Sequence, residues 1–437
     1  MNQDLILERK ASPLSCWHAF IIGVFLGHPL NPAADVGVET GGMSLFSRLT
    51  AVDFFICTML IGFLLSYRGR GLEFSWGGRE LRWPRYTWAF LAFWLSCIVS
   101  VLFSPYFSTG WHIGAAEILI YFYLFVFSVV LYNLLLDEKV FSMAVWGVIV
   151  GVLTSIAMAY SIKFLDFPPV HQHSNHLQGT FRNGAQFGTY LFYVALMVFP
   201  LYLFKARDLQ KKLILIVLIL VPFAIFISSK RSAIASLVVL VAIVLFYVVV
   251  VSHRKKQAVF ILAMIALAYF IFAHFVFPRI EPEEQEYFVS RAKVLMPTAA
   301  RKEAAGYRGE FEEDNWETTV SFFDRNPITG IGISMGVAGP TGLEIHNSYL
   351  RFIGEGGILM LIGGIWLLLA MGFYGPHTGR GLLRQQLNLI NCYRYAYIAV
   401  MVINLWAWGI RRREVWFVVA FIEAVKAISG GRGNMRR

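Results

Sequence analysis

Residues 213–250 read LILIVLILVPFAIFISSKRSAIASLVVLVAIVLFYVVV. Two unbroken apolar runs, each close to the roughly 20 residues that cross a bilayer as a helix, meet in the short turn Ser228-Ser229-Lys230-Arg231-Ser232. Neither run alternates polar with apolar residues, and both outlast a buried strand. Backbone groups in lipid must be satisfied within the segment, which a helix achieves alone. The stretch therefore reads as two membrane spans in a helical hairpin, and it sets the fold class: all-α and polytopic.

The same kind of run recurs along the chain. Spans are expected at 14–30, 47–66, 86–104, 112–136, 140–161, 186–204, 213–229, 232–252, 257–278, 347–374, 388–410 and 414–429, about 12 in all. They divide the 437 residues into an N-terminal bundle of nine spans (1–278), a long hydrophilic segment (279–345) and three C-terminal spans (346–437). The composition agrees: 57% of residues are hydrophobic and only 15% charged, against about 45–50% and about 25% in soluble domains. An ordinary soluble enzyme and a disordered chain are both excluded. Twelve Trp, 19 Tyr and 38 Phe suit aromatic belts at the lipid interfaces.

Charge sets the orientation. The net charge of +11 is spread over short loops rather than gathered on one soluble face, so membrane lipids and not nucleic acid are the expected surroundings. Loops on the side of the two termini hold twenty Lys and Arg; the opposite short loops hold eight, namely Arg48, Lys163, Arg182, Lys230, Arg231, Arg411, Arg412 and Arg413. The positive-inside rule then makes both termini cytoplasmic and places 279–345 outside. The first run follows Arg9-Lys10 with no small-residue cleavage site after it and reads as a retained span. Cys16, Cys57, Cys97 and Cys392 all lie in apolar runs, a pattern of neither a disulfide framework nor a zinc ribbon.

Cations on the wrong side carry the functional signal. Lys230 and Arg231 share a short external turn and require a compensating anion; a phosphate fits, because guanidinium presents a planar bidentate fork. The bland alternative is snorkelling to headgroups. In Gly179-Thr180-Phe181-Arg182-Asn183-Gly184-Ala185-Gln186, the side chains of Arg182, Asn183 and Gln186 offer donors to sugar hydroxyls or phosphate, or else cap the sixth span. His171, His173 and His176 stand close together, but structural zinc takes four ligands and neither Cys nor carboxylate is near in sequence. A solvated or substrate-contacting loop is expected there, and no metal.

The sharpest pattern is Asn326-Pro327-Ile328-Thr329-Gly330-Ile331-Gly332 followed by Glu344-Ile345-His346-Asn347-Ser348-Tyr349-Leu350. His346 stands where the hydrophilic segment returns to the membrane, and imidazole suits general-base work near neutrality. On a helix, His346, Tyr349, Leu350, Ile353 and Gly357 share one face. Asn347, Arg351 and Glu355 share another, with Arg351 and Glu355 as an i,i+4 pair. The glycine pair is neither a Rossmann nor a Walker loop. Upstream, Glu310 to Phe323 reads as an amphipathic helix lying on the bilayer surface.

With Trp316, these motifs and Gly354-Glu355-Gly356 resemble the O-antigen ligase and polymerase superfamily, bacterial polytopic glycosyltransferases of the GT-C type. Ser229-Lys230-Arg231-Ser232-Ala233 and the Gly179-Thr180-Phe181-Arg182-Asn183 stretch fit the same resemblance, in the same order along the chain. It implies an inner-membrane protein with a periplasmic active site. The implied donor is a glycan on undecaprenyl diphosphate; the acceptor, in the ligase branch, is lipid A–core oligosaccharide. His346 would take the acceptor hydroxyl proton. Arg231, with Lys230, would hold the diphosphate. Relatives carry a second arginine three or four residues before the tryptophan; here those positions are Glu312 and Glu313, and Arg308 takes the part. Asn347, Tyr349 and Arg351 join Arg182, Asn183 and Gln186 as substrate-contacting candidates. Diphosphate leaves readily once arginines neutralise it, so no cofactor is implied, and attack from the opposite face gives inversion. A polymerase, a protein O-oligosaccharyltransferase and, in another class, a lipid-linked oligosaccharide transporter share parts of this pattern.

Overall fold

In the computed structural model, residues 13–28, 51–67, 81–165, 167, 180–181, 184–204, 208–228, 231–251, 255–271, 273–274, 277–279, 309–338, 345, 347–374, 384–404 and 410–431 are described. The helices are α1 (Pro13–Leu26), α2 (Ala51–Tyr67), α3 (Thr87–Leu102), α4 (Phe107–Leu135), α5 (Glu138–Leu165), α6 (Gly184–Phe204), α7 (Asp208–Ile227), α8 (Arg231–Phe246), α9 (Lys255–Ile271), α10 (Gly309–Arg325), α11 (Ser348–Phe373), α12 (Arg384–Ala396), α13 (Ile398–Ile403) and α14 (Arg413–Gly431). Among the described residues there is no strand.

Each expected span meets a helix, yet among the described residues six helices have the length and apolarity to cross a membrane: Phe107–Leu135, Glu138–Leu165, Gln186–Phe204, Leu209–Ile227, Ala233–Val250 and Ser348–Phe373. The expected count of about 12 is thus not established. Helices α1, α2 and α3 contribute shorter apolar stretches, Leu14–Leu26, Val52–Gly62 and Thr87–Leu102. The 17 residues of α9 rise about 26 Å, under the roughly 30 Å of a hydrocarbon core. The 388–410 run is divided at Tyr397 into α12 and α13, and α14 carries Glu414, Glu423 and Lys426.

Helix α6 is the most enclosed span: 94% of its apolar window is buried. It packs on α7, α8, α12 and α14. Helices α1 and α5 meet through glycines spaced four apart, Gly23 and Gly27 against Gly147 and Gly151; a Cβ on Gly27 would lie 2.6 Å from the Gly151 carbonyl oxygen. Small residues at that spacing let backbones approach closely, which drives helix association in lipid. An aromatic cluster joins α3, α4 and α14. Phe90 stacks on Phe125 with centroids 4.0 Å apart and meets Trp416 edge-on at 5.7 Å. Phe93 meets Phe352 at 5.6 Å and ties α3 to α11.

The far end of α11 is closed by Lys426. Its ammonium donates to the carbonyls of Gly372 (3.1 Å) and Tyr374 (2.9 Å) and pairs with Glu423 at 2.8 Å. Carbonyls at a helix C-terminus lack intrahelical donors and favour a cation.

Candidate functional site

Helix α10 confirms the helical part of the long segment. Its inner face, Thr318, Thr319 and Phe322, is buried, whereas Trp316 and Val320 are exposed. That inner face packs on α11, and Phe322 joins Ile331 and Ile345 in a small apolar cluster flanked by Tyr106 and Leu350. Arg325 donates to the Tyr106 hydroxyl at 2.6 Å, which fixes the end of α10 to the α3–α4 turn.

The Asn326–Gly332 motif then folds against an interruption in α11. Gly357 has φ 63° and ψ −164°, a combination open essentially to glycine alone. Its break frees backbone groups of α11, and the motif takes them up. The Ile358 amide donates to the Pro327 carbonyl (2.9 Å) and the Leu359 amide to that of Ile328 (3.2 Å). In return the Gly332 amide (2.9 Å) and the Ser100 hydroxyl (2.8 Å) donate to the Glu355 carbonyl. The Ser104 hydroxyl donates to the Ile331 carbonyl. Gly330 and Gly332 have φ 66° and 100°, so the motif's glycines serve the turn that reaches the broken helix.

Beneath this lies the expected i,i+4 pair. Arg351 Nε and Glu355 Oε2 are 2.7 Å apart, and both side chains are 0% exposed. The same carboxylate oxygen accepts from the Ser334 amide at 2.6 Å, and Arg351 Nη2 donates to the Ser334 hydroxyl at 2.6 Å. Ser334 sits at φ 60°, a left-handed position that is strained for a residue with a Cβ. The guanidinium is thus turned inward and engaged, and a substrate contact through Arg351 requires breaking this network.

The start of α11 is fixed just as firmly. The Asn347 side chain caps the helix, accepting from the amides of Tyr349 (2.9 Å) and Leu350 (3.2 Å), as an N-cap asparagine does. Ser348 is bonded to Asn404 twice, through its amide (3.1 Å) and its hydroxyl (2.9 Å). The Tyr349 hydroxyl donates to the Met401 carbonyl at 3.1 Å. Of the two residues flanking His346, Ile345 is buried and Asn347 is the cap. His346 itself lies outside the described residues, as do Lys230, Arg308, Arg182, Asn183 and the His171–His176 loop. Arg231 opens α8, which packs on α13. Gln186 is half-buried in the first turn of α6.

Sequence reasoning passed over the Arg411-Arg412-Arg413 turn and its acids. Arg411 pairs with the buried Glu117 of α4 at 3.2 Å. Arg413 grips Asp53 of α2 with Nε at 2.6 Å and Nη2 at 2.5 Å, and the Tyr123 hydroxyl donates to the same carboxylate at 2.9 Å. Burial opposes the charge on Arg413, but Asp53 outweighs it and raises the guanidinium pKa above its ordinary value. The available signal was a single acid in each of two apolar runs; ionisable residues within spans are expensive and mark function or pairing. Among the described residues no group of three His, Cys, Asp or Glu is placed to hold a metal.

Fold and site together define a polytopic helical membrane protein with buried charges tied to a broken helix. Residues 214–364 match the family model Wzy_C, described as O-antigen ligase. The match covers about a third of the chain, and over that stretch the chain is similar to the O-antigen ligase and polymerase superfamily. Comparison with curated proteins gives no significant match.

Proposed function

We propose that the chain is an inverting, metal-independent O-antigen ligase of GT-C type, moving a glycan from undecaprenyl diphosphate to lipid A–core at the periplasmic face of the inner membrane. The observation that supports it is the extent of the family match: residues 214–364 take in the Lys230-Arg231 stretch, the Asn326–Gly357 arrangement and, in sequence, His346. The acceptor hydroxyl oxygen attacks the anomeric carbon while His346 takes its proton. The bond from that carbon to the diphosphate oxygen breaks, and undecaprenyl diphosphate departs with the electron pair. Arg231, Lys230 and Arg308 neutralise the leaving group; hydrogen bonds to a charged group contribute about 1.5–3 kcal/mol each. A positioned base adds about 10²–10⁴-fold. Arg182, Asn183 and Gln186 meet the glycan, and Tyr349 lines the acceptor side. Asn347 and the Arg351–Glu355–Ser334 network hold the α11 start in place, so Arg351 acts here as a positioning residue.

The test is the lipopolysaccharide ladder of a deletion strain. Bare core, with polymer accumulating on the lipid carrier, is the ligase result. Core carrying a single repeat makes the protein a polymerase, and an unchanged ladder removes both readings.

A further inference from the structure

Two elements of the proposed site meet on one short helix. The six residues of α13 are far fewer than the roughly 12–15 that hold a helix in isolation, so its neighbours fix it. It packs on α8, which Arg231 opens, and its C-terminal end is bonded to the start of α11. The Asn404 carbonyl accepts from the Ser348 amide at 3.1 Å, and Asn404 Oδ1 accepts from the Ser348 hydroxyl at 2.9 Å. The Met401 carbonyl accepts from the Tyr349 hydroxyl at 3.1 Å. Asn404 Nδ2 donates to the Val400 carbonyl at 2.7 Å. A carbonyl can only accept, so this bond fixes the amide group and leaves Oδ1 for Ser348. Ser348 and Asn404 are both 0% exposed.

These bonds complete the N-terminus of α11. A helix leaves its first amides without intrahelical partners. Here the Asn347 side chain takes those of Tyr349 and Leu350, and the Asn404 carbonyl takes that of Ser348. The amides are occupied in holding the helix start, which leaves the charge of a departing diphosphate to side chains. Asn404 partners both polar groups of Ser348 beyond its own carbonyl, so a shift of the first turn of α11 breaks two hydrogen bonds together. His346 stands two residues before Ser348 in the chain, and two residues reach at most about 7 Å. Little slack separates this clamp from the imidazole.

We propose that Asn404 is a positioning residue for glycan transfer, resting on the transferase reading above: through Ser348 it holds the chain that carries His346, and α13 spaces that clamp from Arg231 on α8. Neither Asn404 nor Ser348 touches substrate in this role, so its loss falls on kcat rather than on KM. Steady-state assays on purified protein vary the undecaprenyl-diphosphate-linked glycan and the lipid A–core in turn. Asn404→Ala and Ser348→Ala each lower kcat about tenfold to a hundredfold, the scale of a misplaced reacting group, and leave both KM values within about twofold. The double variant loses no more than the worse single one, since both remove the same side-chain bond. Tyr86→Phe is the control for stability alone: it removes another buried hydroxyl bond, to Ser128 at 2.8 Å, and is expected to weaken the fold in SDS titration with kcat unchanged. Retained kcat in both single variants overturns the proposal. So does a raised KM for either substrate, which makes the pair a binding element, and so does an equal kcat loss in Tyr86→Phe. If Asn404→Ala does not fold, Ser348→Ala, which keeps the amide-to-carbonyl bond, decides alone. If wild-type protein transfers nothing, the function proposed above fails, and the clamp is read without activity. Spin labels on Arg231→Cys and His346→Cys, with Cys16, Cys57, Cys97 and Cys392 changed to Ala, give a narrow distance distribution by electron paramagnetic resonance. Adding Ser348→Ala broadens it, and an unchanged width removes the proposal.

Discussion

Removing one charge of the Arg351–Glu355 pair tests the structural argument most directly. Glu355→Gln keeps the shape and an acceptor for the Ser334 amide but leaves a guanidinium that is 0% exposed without its counter-charge. Stranding one member of a buried pair costs about 3–5 kcal/mol. Arg351→Met strands the carboxylate and costs a similar amount. The double variant Arg351→Met/Glu355→Gln strands no charge, so its loss is expected near that of one single variant rather than their sum. The coupling energy of the cycle is then about 3 kcal/mol. Equilibrium unfolding by SDS titration in mixed micelles, run on all four proteins, supplies the numbers. Additivity within about 0.5 kcal/mol, as found for independent sites, refutes the reasoning. Single losses under about 1 kcal/mol, typical of exposed pairs, refute it equally.

Four further outcomes are expected. Gly357→Ala destabilises the protein by about 3 kcal/mol in the same titration, since the backbone angle is strained for any Cβ and that atom meets the Ile328 carbonyl. Arg231→Ala abolishes transfer and weakens donor binding while the protein still inserts, and Arg231→Lys rescues poorly because a point charge lacks the fork; near-normal transfer in both reduces Arg231 to snorkelling. His346→Ala binds the lipid-linked donor and transfers nothing, and wild-type activity falls as pH drops below about 6.5, where a free imidazole protonates and loses its basic nitrogen; retained transfer makes His346 structural. EDTA leaves purified protein active, and a loss restored by a divalent ion defeats the metal-free mechanism.

The helices were legible because length and continuous apolarity are local properties, and so was the Arg351–Glu355 pair, since a four-residue spacing fixes a helical neighbour. What the sequence concealed depends on juxtaposition. Gly357 was placed on one face of an unbroken helix, yet its φ of 63° interrupts α11, because the amides it frees find carbonyls in a loop some thirty residues earlier in the chain. Ser334 carried no signal: a serine outside any motif becomes the third member of the ion pair only when that loop folds back. Asp53 and Glu117 were passed over although each is a lone acid in an apolar run, and their partners in the 411–413 turn lie far along the chain.

The enclosure of α6 bears on how the protein is made. Its walls include α12 and α14, which leave the ribosome long after α6 does. The Met197 carbonyl of α6, which accepts from the Tyr393 hydroxyl of α12, therefore waits for that contact until the last helices arrive. A chain cut short before Arg384 never completes that wall. Biogenesis thus makes the C-terminal helices a checkpoint, since proteolysis can clear chains in which α6 is left uncovered.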